Sequence, residues 1–185
     1  MEEKLGNLAE VLMGLSYRRY KDETGKIYKI LTLRSIKNIE IDTKELDEFT
    51  SQEEIDSKYL AKKDDIILGL FSPYSATIIR ENTENIIVPL SFAIIRAKKI
   101  NPEYLVYYLN SNEAQKELEK NSFGTTVSKI SMNYLKDLPV KKLDSEKEEE
   151  YLKLMNILNE RIYLKNKELS LLKDIQKYYL NRLGE

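Results

Sequence analysis

The chain has 185 residues, of which 33% are charged and 42% hydrophobic, and its formal net charge is −1. This composition is typical of a folded, polar chain with one domain and an appendage. It contains no cysteine and no histidine, which excludes disulfides, thiolate and imidazole metal ligands, and histidine-based catalysis. Because no apolar run is long enough for a signal peptide or a membrane span, we expect a cytoplasmic protein with no membrane partner.

The charge is unevenly distributed along the chain. Residues 42–65 contain nine acidic and four basic side chains, whereas residues 66–143 contain ten basic and seven acidic ones. Residues 1–41 also have a small basic excess, eight against six. A nearly neutral protein with such a distribution can present one basic face, so nucleic-acid binding is compatible with the net charge.

The N-terminal third predicts short elements. Residues 4–14 have apolar side chains at helical spacing, which predicts one or two helical turns ended by Gly14. Residues 15–26 are polar and predict a loop. The β-branched and aromatic residues at 27–33 predict a buried strand.

The middle of the chain predicts further strands and one short helix. Ser51 followed by Glu54 is a capping-box pattern, which predicts a helix near residues 52–58. Pro89 requires a break, a bulge or an edge position in any strand that contains it. The remaining strands are predicted at residues 64–71, 76–79 and 86–97.

Two helix starts are clear in the next segment. Asn101 is a good N-cap, and Pro102 suits the first turn. Ser131 caps a second short helix, which must end before Pro139. A further helix is predicted from about residue 112 to residue 120.

The tail, residues 146–183, has apolar residues at helical spacing and no helix breaker. A helix of that length spans about 57 Å, more than the diameter of a domain this size, so packing on a second helix is favoured over folding back on its own domain. A second apolar stripe runs beside the first and needs cover of its own. The heptad seam consists of Met155, Leu158, Ile162, Leu169, Leu172, Tyr179 and Leu183.

These elements together predict an α+β fold. Residues 1–143 are expected to form a small, twisted, mostly antiparallel sheet with short helices. Residues 144–185 are expected to form one long coiled-coil helix.

The chain also resembles one half of a specificity (S) subunit of a type I restriction–modification system. The resemblance lies in ordered segments along the whole chain, and it departs from the family pattern at Asp64, where a glycine is usual. The Gly-Ser loop of the family is replaced by Ser72–Ser75, and the prolines that usually precede the long helix are missing. The matching segments are KLGNLAEVLMG, YKILTLRSI, YLAKKDDIILGLFSPYSATII, NPEYLVYYLNS and FGTTVSKISMNYLKDLPV.

The resemblance implies a non-catalytic recognition subunit without cofactor or metal. Residues 1–143 would be a target-recognition domain that binds one half-site of double-stranded DNA. Two copies would pair through their long helices as a homodimer. Partners would be the modification (methyltransferase) subunit and, through it, the restriction subunit.

The candidate DNA contacts are polar and basic side chains in predicted loops. Arg and Lys suit phosphates and guanine edges, whereas Ser, Thr and Tyr suit phosphates or adenine. Each candidate has a simpler alternative as a turn, cap or solvated residue. The candidates are Arg18, Arg19, Tyr20, Lys21, Arg34, Ser35, Ser72, Tyr74, Ser75, Thr125, Thr126, Ser128 and Lys129.

Two other interpretations stay open at this point. The chain could be a coiled-coil interaction or assembly factor with no DNA role. It could also require a full-length S subunit as its partner. Candidate loops gathered on one basic face would favour DNA binding, and loops scattered over unrelated faces would favour the assembly factor. The acidic pair Asp64 and Asp65 is interpreted as a turn rather than as catalytic carboxylates.

Overall fold

The computed structural model describes residues 2–37, 39–81, 83–120 and 129–183. The chain divides into two compact units, Met1–Lys142 and Leu143–Glu185. The strands are β1 (Glu2–Lys4), β2 (Ala9–Met13), β3 (Lys26–Ile30), β4 (Ile36–Lys37), β5 (Glu40–Ile41), β6 (Asp47–Ser51), β7 (Asp65–Gly69), β8 (Ala76–Ile78), β9 (Ile86–Ile87), β10 (Phe92–Ala97) and β11 (Pro139–Lys141). The α-helices are α1 (Leu5–Leu8), α2 (Pro102–Leu109), α3 (Asn112–Lys120), α4 (Met132–Asp137) and α5 (Ser145–Arg182), and single 3-10 turns lie at Tyr17–Tyr20, Thr43–Glu45 and Ser57–Tyr59.

The first unit is built on several small sheets. A four-stranded antiparallel sheet in the order β2-β10-β7-β8, here called the central sheet, lies beside a three-stranded sheet in the order β6-β3-β9. Within the three-stranded sheet β3 pairs antiparallel with β6 and parallel with β9. The remaining pairs are β1-β11 and β4-β5. The predicted fold class, small mostly antiparallel sheets with short helices and a long C-terminal helix, is confirmed.

The core follows from the position of β10 between β2 and β7. Strands paired on both edges and covered on both faces are almost continuously apolar, and Ile66, Ile67, Ile94 and Ile95 are fully buried. These isoleucines belong to the apolar core of the central sheet, and a second apolar cluster, around Tyr28, packs on the three-stranded sheet. These two apolar clusters fix the strand ends from which the candidate loops emerge.

Of two predicted helices, one is shorter than expected and the other is absent. The helix predicted over residues 4–14 ends at Leu8, and Ala9–Met13 is strand β2, paired residue by residue with β10. The helix predicted near 52–58 is absent, because Ser51 closes strand β6 and its hydroxyl donates to the Glu53 carbonyl. In both cases pairing with a neighbouring strand outweighs a local helical pattern.

The predicted caps at Asn101 and Ser131 are confirmed. The Asn101 side chain accepts from the Glu103 and Tyr104 amides, and the Ser131 hydroxyl accepts from the Tyr134 amide. Two tyrosines on α2 then hold strand β11. The Tyr104 hydroxyl donates to the Lys141 carbonyl at 2.6 Å, and the Tyr108 hydroxyl donates to the Pro139 carbonyl at 3.0 Å. Burial raises the pKa of Tyr108.

The backbone conformation explains how Asp64 can occupy a position where the resembled family usually has glycine. Asp64 has φ 67°, in the left-handed region that glycine adopts most easily and that Asp tolerates better than most residues. Its amide donates to the Ile79 carbonyl. The neighbouring Asp65 is buried in an ion pair with Arg96, which accounts for this acidic pair without a catalytic role.

The second unit is the long helix α5. Asp144 caps it by accepting a hydrogen bond from the Lys147 amide, and Glu146 and Glu148 stabilise its first turn. No residue of α5 is buried in the single chain. Among the described residues, no helix is long and apolar enough to cross a membrane.

Candidate nucleic-acid interface

Two candidate segments, Arg18–Lys21 and Ser72–Ser75, follow strands β2 and β7 at one end of the central sheet. We call this end, formed by Met13, Gly69, Ala76 and Phe92, the Met13 end, because the strand registers place these residues side by side. The opposite end consists of Ala9, Asp65, Ile78 and Ala97.

The chain leaves β2 at the Met13 end through a close backbone crossing. A Cβ on Gly14 would lie 2.1 Å from the Pro89 carbonyl oxygen, so only glycine fits there. Leu15 then bridges to Pro89. Gly14 was expected to end a helix, but it permits this crossing instead. After the crossing, Tyr17 and Tyr20 pack against the apolar cluster of the three-stranded sheet.

The 3-10 turn after this crossing is anchored by one aromatic side chain and displays the cations. Tyr17 packs edge-on against the buried Phe49, with ring centroids 5.5 Å apart. Arg18, Arg19 and Lys21 are exposed, and no carboxylate of the described residues lies within ion-pair distance of them. Such unpaired cations on an anchored turn suit a polyanion.

Tyr20 makes two contacts with the neighbouring Arg19. The Arg19 guanidinium donates to the Tyr20 hydroxyl at 2.7 Å and lies over the Tyr20 ring, 4.8 Å from its centroid. Cation–π contact and hydrogen bond together orient the Arg19 side chain. In the free chain, Tyr20 therefore positions the Arg19 side chain.

A cleft of about 330 Å³ lies beside this turn. The cleft lies between the Arg18 turn and the segment that follows β3. Arg18, Leu33 and Asp47 all line it. The lining residues are Leu15–Arg18, Ile30–Leu33, Asp47 and Pro89–Phe92.

Arg34 belongs to the same region. It lies on a turn after β3, and its Nη2 atom is 3.0 Å from Asp47 Oδ1. Since Asp47 and Arg18 both line the cleft, the structure brings together two candidate segments, Arg18–Lys21 and Arg34, that are separated in sequence.

Lys129 and the β7–β8 loop also lie at the Met13 end. Lys129 Nζ is 3.7 Å from Met13 Sδ, and the Ile130 amide donates to the Leu70 carbonyl at 2.9 Å. Ser72 in the β7–β8 loop is exposed, whereas Ser75 is half-buried. The loop therefore offers Ser72 as its accessible hydroxyl.

Two candidates do not fit direct DNA contact. Ser35 is fully buried, and its hydroxyl donates to the Thr32 carbonyl at 2.7 Å. Tyr74 is 2% exposed. Both are corrected to structural residues, because a buried side chain cannot reach a base or phosphate. Thr125, Thr126 and Ser128 lie outside the described residues.

Two neighbours of the candidates were missed. Leu33 and Asp47 line the cleft, but an apolar residue at the end of a predicted buried strand and an acid in an acidic stretch give no DNA-binding signal in sequence. Their role depends on the β3–β6 pairing, in which Ile30 lies opposite Asp47. Sequence could have suggested this only if the register of the β3–β6 pair had been predicted.

The predicted seam is accessible in the single chain. Ile162, Leu169 and Leu172 are 54%, 51% and 56% exposed. The second stripe is equally exposed, with Leu164 and Leu171 both at 55%. A helix with this much exposed apolar surface fits a coiled coil.

No protein-family model and no curated protein matches the chain. Solved structures do. One, from work on complex assembly and conformational transition of the type I R-M system, aligns with a TM-score of 0.66 at 13% identity over 88% of this chain and 38% of that one. The S subunit from M. genitalium aligns with a TM-score of 0.58 at 14% identity, covering 87% and 39%. The HsdS subunit from Thermoanaerobacter tengcongensis aligns with a TM-score of 0.63 at 13% identity, covering 88% and 38%.

The chain is therefore similar in fold to these S subunits, and the resemblance found in sequence is confirmed at that level. It spans about two fifths of the length of the solved chains it matches. The first unit and the long helix that follows it in the chain together look, in fold, like a half-size S subunit.

Proposed function

We propose that the chain is a DNA-binding specificity subunit of a type I restriction–modification system that recognises one half-site per chain. The observation that supports this most directly is that Arg18 lines the cleft and Arg34 pairs with Asp47, another lining residue, on a fold similar to solved S subunits. Lys129 extends the basic region along the same end of the central sheet. Neutralising phosphates is the main source of DNA affinity, and these cations supply the required charge.

The grouping favours DNA binding over an assembly factor without a DNA role. An assembly factor needs the long helix but gives no reason for exposed cations to gather beside a cleft. The Tyr17–Phe49 anchor matters for the same reason, because a rigid loop loses less conformational entropy on binding.

The proposal includes pairing of two copies through the seam of α5 to give a homodimer. The 38-residue helix and its exposed seam support this part. Two recognition units related by a twofold axis would bind an inverted repeat with a fixed spacer. The second stripe of α5 would dock the modification subunit, and through it the restriction subunit, in the cytoplasm.

A salt titration of DNA affinity tests the DNA-binding part. We expect the triple variant Arg18→Ala/Arg19→Ala/Lys21→Ala to bind duplex DNA more weakly and to show a shallower dependence of log K on log salt than the parent. The matched control is Lys62→Ala/Lys63→Ala/Lys99→Ala, which removes the same charge at the opposite end of the central sheet. Equal losses in both variants would contradict the proposed location of the interface.

A further inference from the structure

One exposed apolar side chain, Leu33, lines the cleft together with Arg18. Leu33 is 67% exposed, the highest value for a large hydrophobic residue in the described part of the first unit. Single exposed apolar residues are common on protein surfaces. Leu33 differs from these in its support and in its neighbours.

The turn that displays Leu33 is held by reciprocal hydrogen bonds between Thr32 and Ser35. The Thr32 amide donates to Ser35 Oγ at 3.1 Å, and the Ser35 amide donates to Thr32 Oγ1 at 3.2 Å. Thr32 Oγ1 in turn donates to the Glu45 carbonyl at 3.1 Å. The turn is thereby fixed at both ends and to the chain before β6, so the two residues between, Leu33 and Arg34, are presented in a defined orientation.

The surroundings of Leu33 are charged. Arg34 follows it in the chain, and Arg18 and Asp47 line the same cleft as Leu33. A partner with an apolar surface of its own would leave these charges without water or counter-charge, at a cost in desolvation. The surroundings therefore favour a polyanion that offers a small apolar group.

DNA has one such group on its major-groove edges, the 5-methyl of thymine, which apolar side chains contact. We propose that Leu33 is a specificity-determining residue that contacts a thymine methyl group in the half-site, beside the base or phosphate bound by Arg34. This inference rests on the proposed DNA-binding function and adds a base preference to it. The target half-site is then expected to contain at least one thymine that matters through its methyl group.

Replacement of thymine by uracil isolates the methyl group. The probe is the duplex that the parent chain enriches from a random-sequence library, with each thymine replaced by uracil in turn. We expect one replacement to weaken binding by about fourfold, the value for burial of one methyl-sized group. The Leu33→Ala variant should bind the thymine duplex about fourfold more weakly and lose nothing more on that replacement.

Ile27→Ala is the matched control. Ile27 is 63% exposed on β3 and does not line the cleft, so this variant should keep both the affinity and the uracil effect of the parent. Because Leu33 and Ile27 are both exposed, both variants should keep the far-ultraviolet circular dichroism of the parent.

The outcomes separate the two levels of the account. DNA binding by the parent with no sensitivity to any uracil replacement, or an unchanged uracil effect in Leu33→Ala, would overturn the role of Leu33 and leave the proposed function standing. Failure of the parent to enrich or bind any duplex would overturn the proposed function, and this inference with it.

Discussion

Arg34 forms an ion pair with Asp47, a residue that lines the cleft, with Arg34 Nη2 3.0 Å from Asp47 Oδ1. Both side chains are more than half exposed, so the pair contributes at most about 1 kcal/mol to folding. Its main effect is on position, because it holds one N–H edge of the Arg34 guanidinium and leaves the remaining N–H donors for another partner.

Removal of the Asp47 charge should affect specificity more than affinity. We predict that Asp47→Asn increases affinity for random DNA, because an acidic group near phosphates is lost. It should also lower the preference for the target by about fivefold or more, because Arg34 is less well positioned for a base edge. Fluorescence anisotropy with target and random duplexes measures both quantities.

Glu48→Gln is the control for this experiment, since Glu48 is the next acidic residue on β6, is exposed and does not line the cleft. It should change both affinities by the same factor. A loss of target preference in Glu48→Gln as large as that in Asp47→Asn would show that general charge, and not the position of Arg34, explains the effect.

The two stripes of α5 should respond differently to charge. We predict that Ile162→Asp/Leu169→Asp converts a dimer to a monomer at micromolar concentration, because the seam cannot bury carboxylates. Light scattering after size-exclusion chromatography measures the mass. Leu164→Asp/Leu171→Asp, on the second stripe, should stay dimeric. A parent chain that is already a monomer would contradict the homodimer.

The Asp65–Arg96 pair should matter for stability. Arg96 donates to both Asp65 oxygens, at 3.0 and 3.3 Å, and the Asp65 side chain is 4% exposed. Loss of one partner leaves an enclosed charge without compensation, so Asp65→Ala should lower the free energy of unfolding by about 3 kcal/mol. Urea denaturation measures the change.

Asp137→Ala provides the contrast, because Asp137 pairs with Lys4 at a site where both side chains are more than 60% exposed. It should lower the free energy of unfolding by less than about 1 kcal/mol. Similar losses for Asp65→Ala and Asp137→Ala would mean that enclosure of the Asp65 pair adds nothing to its strength.

Helices with explicit local signals could be predicted from sequence. Asn101, Ser131 and the helical apolar spacing of α5, which contains no helix breaker, depend on contacts within a few residues, and each predicted the observed element. Strand β2 could not be predicted this way, because Ala9–Met13 is extended only through its pairing with β10, whose partner residues lie 80 to 88 positions further along the chain. The helix predicted from Ser51 was wrong for a similar reason, because Ser51 belongs to strand β6, which pairs with β3.

The candidate site divides along the same line. Exposed cations on a polar segment are visible in sequence; Arg18 lines the cleft, and Arg34 pairs with Asp47, which also lines it. Ser35 and Tyr74 looked equally polar and accessible, but the folded chain buries them. Leu33 and Asp47 come to line the cleft only because β3 and β6 pair. Sequence thus indicates which side chains are suitable, whereas long-range pairing decides which ones are presented.

Methylation-site mapping in cells that contain this chain and its cognate modification subunit tests the central claim most directly. The account predicts new methylation at one inverted repeat with a fixed spacer, and its loss when Arg18, Arg19 and Lys21 are replaced by alanine. Methylation without any defined sequence, or no methylation beyond that of the modification subunit alone, would contradict the claim that this chain supplies the specificity.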